Sequence, residues 1–139
     1  MGLEPTIASL VRAALAAPSV REAAASPHWR EVYVGVPMVG TVLEGYVDLL
    51  YRRHDGLVVI DHKTDAVASD ADLDERLRRY RPQGAAYALA VEQATGEPVV
   101  ACIFVFCTTS GPIERTITDL PAAITEVRAL LAAAPTGSP

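Results

Sequence analysis

Lysine is all but missing from this chain: Lys63 is the only one in 139 residues, and arginine supplies the other strongly basic side chains. That preference, like the wealth of alanine, reflects genome composition, so the information lies in where Lys63 stands. Cysteine is scarce too. Cys102 and Cys107 share the apolar stretch Val99 to Cys107 and differ by five positions, so in a strand they face opposite sides and form no disulfide. Buried free thiols fit a reducing cytoplasm. Two thiols cannot supply the four thiolates of an ordinary iron–sulfur cluster, so none is expected. No apolar run approaches the roughly 18 residues of a membrane span, and no membrane partner is expected. No basic segment followed by an apolar stretch and a cleavage site opens the chain, so no secretory signal is read there. Positive charge is also lacking. The formal net charge is -5, which is not the balance of a self-sufficient nucleic-acid binder.

What is present suffices for one domain. Half of the chain is hydrophobic (50%), enough for a sizeable core without staples. The arginines cluster as Arg52-Arg53 and as Arg76, Arg78, Arg79 and Arg81. Either the second cluster is a solvated helix face balanced by Asp70, Asp72, Asp74 and Glu75, or it contacts phosphate.

The hydrophobic periodicity predicts a helix over 5–17, with Ile7, Leu10, Val11, Ala14 and Leu15 on its inner face. Pro18-Ser19 breaks it, and another turn or two follows over 20–25. Strands are predicted over 30–36, 39–51 and 57–64, with a turn at Pro37-Met38. A short helix over 71–79 comes next, then a longer one opened by Pro82 and ended by Gly96. A strongly β-favouring strand spans 99–107, an edge strand 113–118 and a last helix 121–134. The order α-β-β-β-α-β, with a small addition, implies an α/β fold: a mixed central β-sheet flanked by helices. Residues 1–134 are expected to form one domain and 135–139 a flexible tail. The first helix begins almost at Met1-Gly2, as expected of a domain excised from a longer chain.

The chemistry concentrates around Lys63. It stands two residues after Asp61 at the end of the apolar run Leu57-Val58-Val59-Ile60. Residues two apart in a strand share a face, so a carboxylate and an ammonium aim at one spot. Asp48 ends the preceding apolar stretch, and between them lies Arg52-Arg53-His54-Asp55-Gly56, with the strong turn signal Asp-Gly. A turn centred between His54 and Asp55 makes Asp48 and Asp61 cross-strand neighbours, their Cβ atoms about 4.5–5.5 Å apart. Two carboxylates that close repel unless neutralised, and a divalent metal with oxygen ligands is the natural partner. On the next helix Tyr80, Gln83 and Tyr87 follow at spacings of three and four, and the last two share a face. An Asp-x-Lys pair by itself also suits a surface ion pair, Gln83 a solvated helix position, Tyr87 a core position and His54 a solvated turn.

Taken together, Gly45-Tyr46-Val47-Asp48, Val59-Ile60-Asp61-His62-Lys63-Thr64-Asp65 and Tyr80-x-x-Gln83-x-x-x-Tyr87 resemble the RecB-type branch of the PD-(D/E)XK nucleases. The nearest likeness is to the C-terminal nuclease domains of AddA-like and UvrD/PcrA-type helicases. The resemblance implies a restriction-endonuclease-like core and metal-dependent DNA cleavage in repair or recombination. It implies metal ligation by Asp48, Asp61 and the backbone carbonyl of His62, with Mg²⁺ or Mn²⁺ as the cofactor. It gives Lys63 a catalytic role, and it makes Gln83, Tyr87 and Tyr80 residues that hold the DNA strand and the site. Glu31 resembles an upstream acidic residue of the family, and it also suits an exposed strand position. The implied partners are DNA, as a single strand delivered by a helicase motor, and helicase domains in the same or a partner chain. One departure stands out: the family's metal-binding histidine on a preceding helix has no counterpart here. His28, beside Pro27 in an expected loop, is the nearest candidate. The rival reading is a nuclease-like module without turnover that binds DNA or docks a protein.

Overall fold

The computed structural model describes residues 4–38 and 40–133. The expected tail at 135–139 lies outside the described residues. Two helices come first, α1 (Glu4–Ala16) and α2 (Pro18–Ala24). Strands β1 (His28–Met38), β2 (Thr41–Arg53) and β3 (Gly56–Lys63) follow, then the long helix α3 (Asp70–Thr95). Strands β4 (Val99–Thr108) and β5 (Gly111–Thr116) and helix α4 (Leu120–Ala133) complete the chain. The strands form one sheet in the order β1-β2-β3-β4-β5. β3 and β4 are parallel and the other neighbours antiparallel. This is the mixed sheet flanked by helices that the element order implies. Among the described residues no helix is long and apolar enough to cross a membrane.

Helices cover both faces of the sheet. Val34, Val47, Leu50, Leu57, Val59, Cys102, Phe104 and Phe106 pack under α3 and α4. Leu49, Tyr51, Val58, Ile60, Ile103, Val105 and Cys107 pack under α1 and α2. The two cysteines thus lie on opposite faces, both free. Burial pushes the Cys102 thiol up to about 12, which keeps it protonated and inert.

Four local expectations are corrected. The two predicted helices over 71–79 and 82–95 are one, with Pro82 inside it. Pro82 costs the bond its N–H would make to the carbonyl four residues back. Both Pro82 and Arg78 are exposed, so water can reach that carbonyl. Pro37 and Met38 are not a turn but pair with Val42 and Thr41; β1 is an edge strand, where proline is tolerated. His28 opens β1 instead of lying in a loop. On the described part of α1 Ala13 and, just past its end, Ala17 are buried; of the expected face Leu10 and Ala14 pack partly buried beside them, while Ile7, Val11 and Leu15 are more than half exposed. Small alanines let α1 lie close on β4 and β5, with Leu10 packed beside them and Ile7, Val11 and Leu15 on the outer side.

Candidate active site at a fork in the sheet

Strands β2 and β3 part at the site. Their ladder ends at the pair Leu49–Ile60. Beyond it β2 continues beside β1, and β3 beside β4 through Asp61–Phe104, His62–Val105 and Lys63–Phe106. Asp48 and Asp61 are the first residues past the last rung and so meet across the opening. Asp48 fills the fork: its Oδ2 accepts the His62 N–H at 2.8 Å, satisfying a donor that the ladder no longer serves.

The same level is irregular between β1 and β2. The register is unchanged on either side, but Glu31 and Asp48 do not pair, and Glu31 has φ 50. A non-glycine residue held in that left-handed region costs on the order of 1–3 kcal/mol. Strand alternation slips there. Val32, Val34 and Val47 belong to the α3 side. Arg30 and Glu31 on β1, and Asp48 and Leu49 on β2, line crevices on the other side with His62. Two consecutive residues of each strand therefore share one face.

Asp61 and Lys63 point towards α3. Asp61 is only 7% exposed. Lys63 Nζ lies 3.0 Å from Asp61 Oδ2 and donates to Gln83 Oε1 at 2.7 Å. It also sits 4.0 Å from the Tyr80 ring centroid, a favourable cation–π distance. The Tyr80 hydroxyl donates to Asp65 Oδ2 at 2.6 Å, and Asp65 takes Arg76 Nη1 at 2.7 Å. Gln83 Nε2 reaches the Tyr87 hydroxyl at 3.4 Å. Helix α3 can come this close because two glycines leave room. A Cβ on Gly84 would stand 2.6 Å from Ile117 Cδ1 and 2.8 Å from Phe104 Cζ, and one on Gly45 would stand 2.8 Å from Tyr87 Cε1.

Burial and the adjoining Asp48 carboxyl push the Asp61 carboxyl up to about 6, against the opposing pull of Lys63. A carboxyl pair with a raised value is poised to gain from a bound cation. Asp61 Oδ2 is buried and accepts no aligned hydrogen bond among the described residues. That oxygen, which has Lys63 Nζ 3.0 Å away, the second carboxylate and the backbone carbonyl of His62 are hard oxygen donors of the kind Mg²⁺ or Mn²⁺ takes. Among the described residues no group of three or more His, Cys, Asp or Glu side chains converges there. Water and substrate would have to complete the coordination.

The fold thus brings Asp48, Asp61, Lys63, Tyr80, Gln83 and Tyr87 together. Glu31 stands exposed at the crevice rim, and His54 lies in the β2–β3 turn. Sequence reasoning missed the other wall. A crevice of about 290 Å³ leads to Asp48 and is lined by Ala14, Val20, Arg21, His28, Arg30 and His62 among others. Arg30 was legible only as the neighbour of Glu31, because the slip in alternation that turns both to one face has no local signal. The arginine clusters are largely ion-paired within the chain: Arg52 with Glu97 at 2.7 Å, Arg53 with Asp55 at 2.8 Å, Arg76 with Asp65 at 2.7 Å and Arg81 with Glu126 at 3.4 Å.

A forked mixed sheet thus carries an Asp, an Asp-x-Lys and a helix-borne glutamine at its fork, as the resemblance read in the sequence implies. The sequence profile of the PD-(D/E)XK nuclease superfamily matches residues 4–136, and the chain belongs to that superfamily. It is 45% identical over 58 residues to an ATP-dependent helicase/nuclease of Carboxydothermus hydrogenoformans, covering 42% of this chain and 5% of that protein. It is 39% identical over 74 residues to the protein of the same name from Desulforamulus reducens, covering 50% of this chain and 6% of that one. The chain therefore spans only a small fraction of the length of these relatives. The crystal structure of a putative exonuclease from Eubacterium rectale shares the fold, with TM-score 0.59 and 22% identity over 92% of this chain and 48% of that one.

Proposed function

We propose that residues 1–134 form one nuclease domain that hydrolyses phosphodiester bonds in DNA, as a module of a cytoplasmic helicase–nuclease. The observation that carries this reading is the meeting of Asp48 and Asp61 at the fork, with the Asp61 carboxyl pushed up to about 6 and Lys63 3.0 Å away. Asp48, Asp61 and the His62 carbonyl would hold Mg²⁺ or Mn²⁺. Such an ion supplies activation of water and neutralisation of charge building on the phosphoryl and leaving oxygens. Lys63 is the cation aimed at that charge. It is pre-positioned by Asp61 and Gln83 over the Tyr80 face, so little reorganisation accompanies the reaction. Gln83 and Tyr80 act through Lys63 as positioning residues, and Tyr87 holds Gln83. The substrate is DNA, delivered as a single strand by helicase domains of the same or a partner chain. The net charge of -5 agrees with a domain that leaves most DNA affinity to its motor.

One observation favours a second reading. Only two side-chain ligands meet at the fork among the described residues, and no helix histidine joins them, as in a module that binds without turnover. A cleavage assay on single- and double-stranded DNA with Mg²⁺ or Mn²⁺, with Asp61→Ala as control, separates the two. Cleavage lost in the control supports the nuclease; no cleavage, in the isolated chain and in the intact protein alike, supports the module.

A further inference from the structure

Beyond the crevice, the hairpin of β1 and β2 carries two aromatic rings on the same face as the acidic opening. Tyr46 lies two residues before Asp48 and Tyr33 two residues after Glu31, so each shares the face of its neighbour. They are about 7 Å along the strand from the site. Tyr33 and Tyr46 are direct cross-strand partners, with ring centroids 5.5 Å apart and an interplanar angle of 59°. The Tyr33 hydroxyl donates to Glu44 Oε2 at 2.7 Å, which fixes its ring as a buttress. Tyr46 is nonetheless 64% exposed and Tyr33 54%. Two exposed rings, one of them fixed by a hydrogen bond, lie one step from the acidic opening and offer it a flat apolar face.

Charges of opposite use flank the stretch from the rings to Asp48: Glu44 lies beyond the rings, Glu31 at the level of Asp48 and Arg30 one pair further on, opposite Leu49. Glu44 and Glu31 repel phosphate. Arg30 lines both crevices beside Asp48 and has no ion-pair partner among the described residues. A strand whose phosphate is drawn to Arg30 would carry the adjoining base towards Tyr46. Unpaired bases stack on aromatic side chains without regard to sequence, whereas duplex DNA offers no free base face.

We propose that Tyr46, buttressed by Tyr33, is a stacking platform for an unpaired base of the DNA strand and that Arg30 holds the neighbouring phosphate. The proposal rests on the nuclease reading for the identity of its ligand, and it makes single-stranded DNA the preferred substrate of that site.

The test measures binding apart from cleavage. The chain carrying Asp61→Ala is titrated at low salt with a short fluorescein-labelled dT oligonucleotide and with a duplex of equal length. Tyr46→Ala is expected to weaken single-strand binding roughly five- to hundredfold and to leave duplex binding unchanged. Tyr46→Trp, which keeps a ring, retains affinity. Arg30→Gln is expected to flatten the slope of log affinity against log salt by about 0.7 on the single strand. Thermal melts check that each variant is folded. Equal affinity of Tyr46→Ala and parent for dT, an equal loss on single strand and duplex, or no measurable binding of dT by the parent overturns the proposal. Cleavage by the unsubstituted chain in Mn²⁺ is scored separately. Tyr46-dependent binding without cleavage, in this chain and in the intact protein alike, leaves the platform standing and sinks the nuclease reading; cleavage without Tyr46 dependence does the reverse.

Discussion

The two sides of the fork are built differently. On the α3 side Asp61, Lys63, Gln83, Tyr80, Asp65 and Arg76 form a continuous chain of contacts, packed on Phe104 and held close by Gly84. On the α1–α2 side Asp48 faces a crevice rimmed by Arg21, His28 and Arg30, with Glu31 strained at its mouth. A network with its hydrogen bonds made cannot rearrange cheaply, so it fixes positions. Groups left open to solvent can be satisfied by something that arrives. The α3 side therefore orients the Lys63 ammonium and one carboxylate, and the other side is left open. Substitutions should separate accordingly: on the α3 side they move chemistry and stability, and on the open side, Asp48 apart, they move binding with little change in stability.

The largest expected effect is on cleavage. In the intact protein, Asp61→Ala and Lys63→Ala should each lower the cleavage rate by about 10²–10³ or more if the proposed function holds, with circular dichroism unchanged. An Asp61→Ala protein that melts markedly lower and still cuts DNA would make the pair structural.

Stability of the metal-free protein should respond next. Between the ordinary carboxyl value of 3.8 and about 6, the unfolded chain has released the Asp61 proton while the folded chain keeps it. Stability therefore falls as pH rises through that window, and the ionised carboxylate costs the fold on the order of 2–3 kcal/mol above it. Asp61→Asn should raise the melting temperature in EDTA above pH 6, with the gain gone near pH 4. A variant that melts lower at pH 7 would show that the Lys63 ion pair outweighs burial and the neighbouring Asp48. Lys63→Ala should move stability modestly the other way.

The closeness of α3 can be tested directly. Gly84→Ala places a methyl within 2.6–2.9 Å of Ile117, Phe104 and Cys102 and should destabilise by about 1–3 kcal/mol through overpacking. Urea titration reads this, and an unshifted midpoint would mean that α3 is not held at that distance. Metal binding should be weak in the isolated chain because only two side-chain ligands meet there among the described residues; tight Mn²⁺ binding by calorimetry would reveal a further ligand. The smallest effect belongs to the open side. Glu31→Gly relieves the left-handed backbone and should leave stability unchanged or up to about 1 kcal/mol higher. A lower melting temperature would assign the Glu31 side chain a stabilising contact.

Much of the α3 side was legible in sequence because its geometry is local. The Asp-Gly turn sets the β2–β3 register, and alternation puts Asp61 and Lys63 on one face. Helical spacing puts Gln83 and Tyr87 on another. The open side was not legible. The slip at Glu31 and Asp48 turns two consecutive residues of each strand the same way, and no composition or period announces it. Helix α1 departs from its periodicity for a related reason. Leu10 and Ala14 of its expected face do pack inward, but close approach to β4 and β5 buries Ala13 and Ala17 and leaves Ile7, Val11 and Leu15 exposed.

The order of elements, the hairpin that opposes Asp48 to Asp61, the position of the lone lysine and the left-handed glycine that ends α3 are all written in the chain itself. Each follows from interactions within a few residues or across one tight turn, where the backbone has little freedom. Three other features arise only once the elements pack. Strands β2 and β3 part beyond Leu49 and Ile60, α3 runs unbroken through Pro82, and Arg30 and the Tyr33–Tyr46 pair share the face of the acidic opening. Those outcomes depend on which neighbour each strand keeps and on what a helix meets at a distance, and they are settled by packing among residues far apart in the chain.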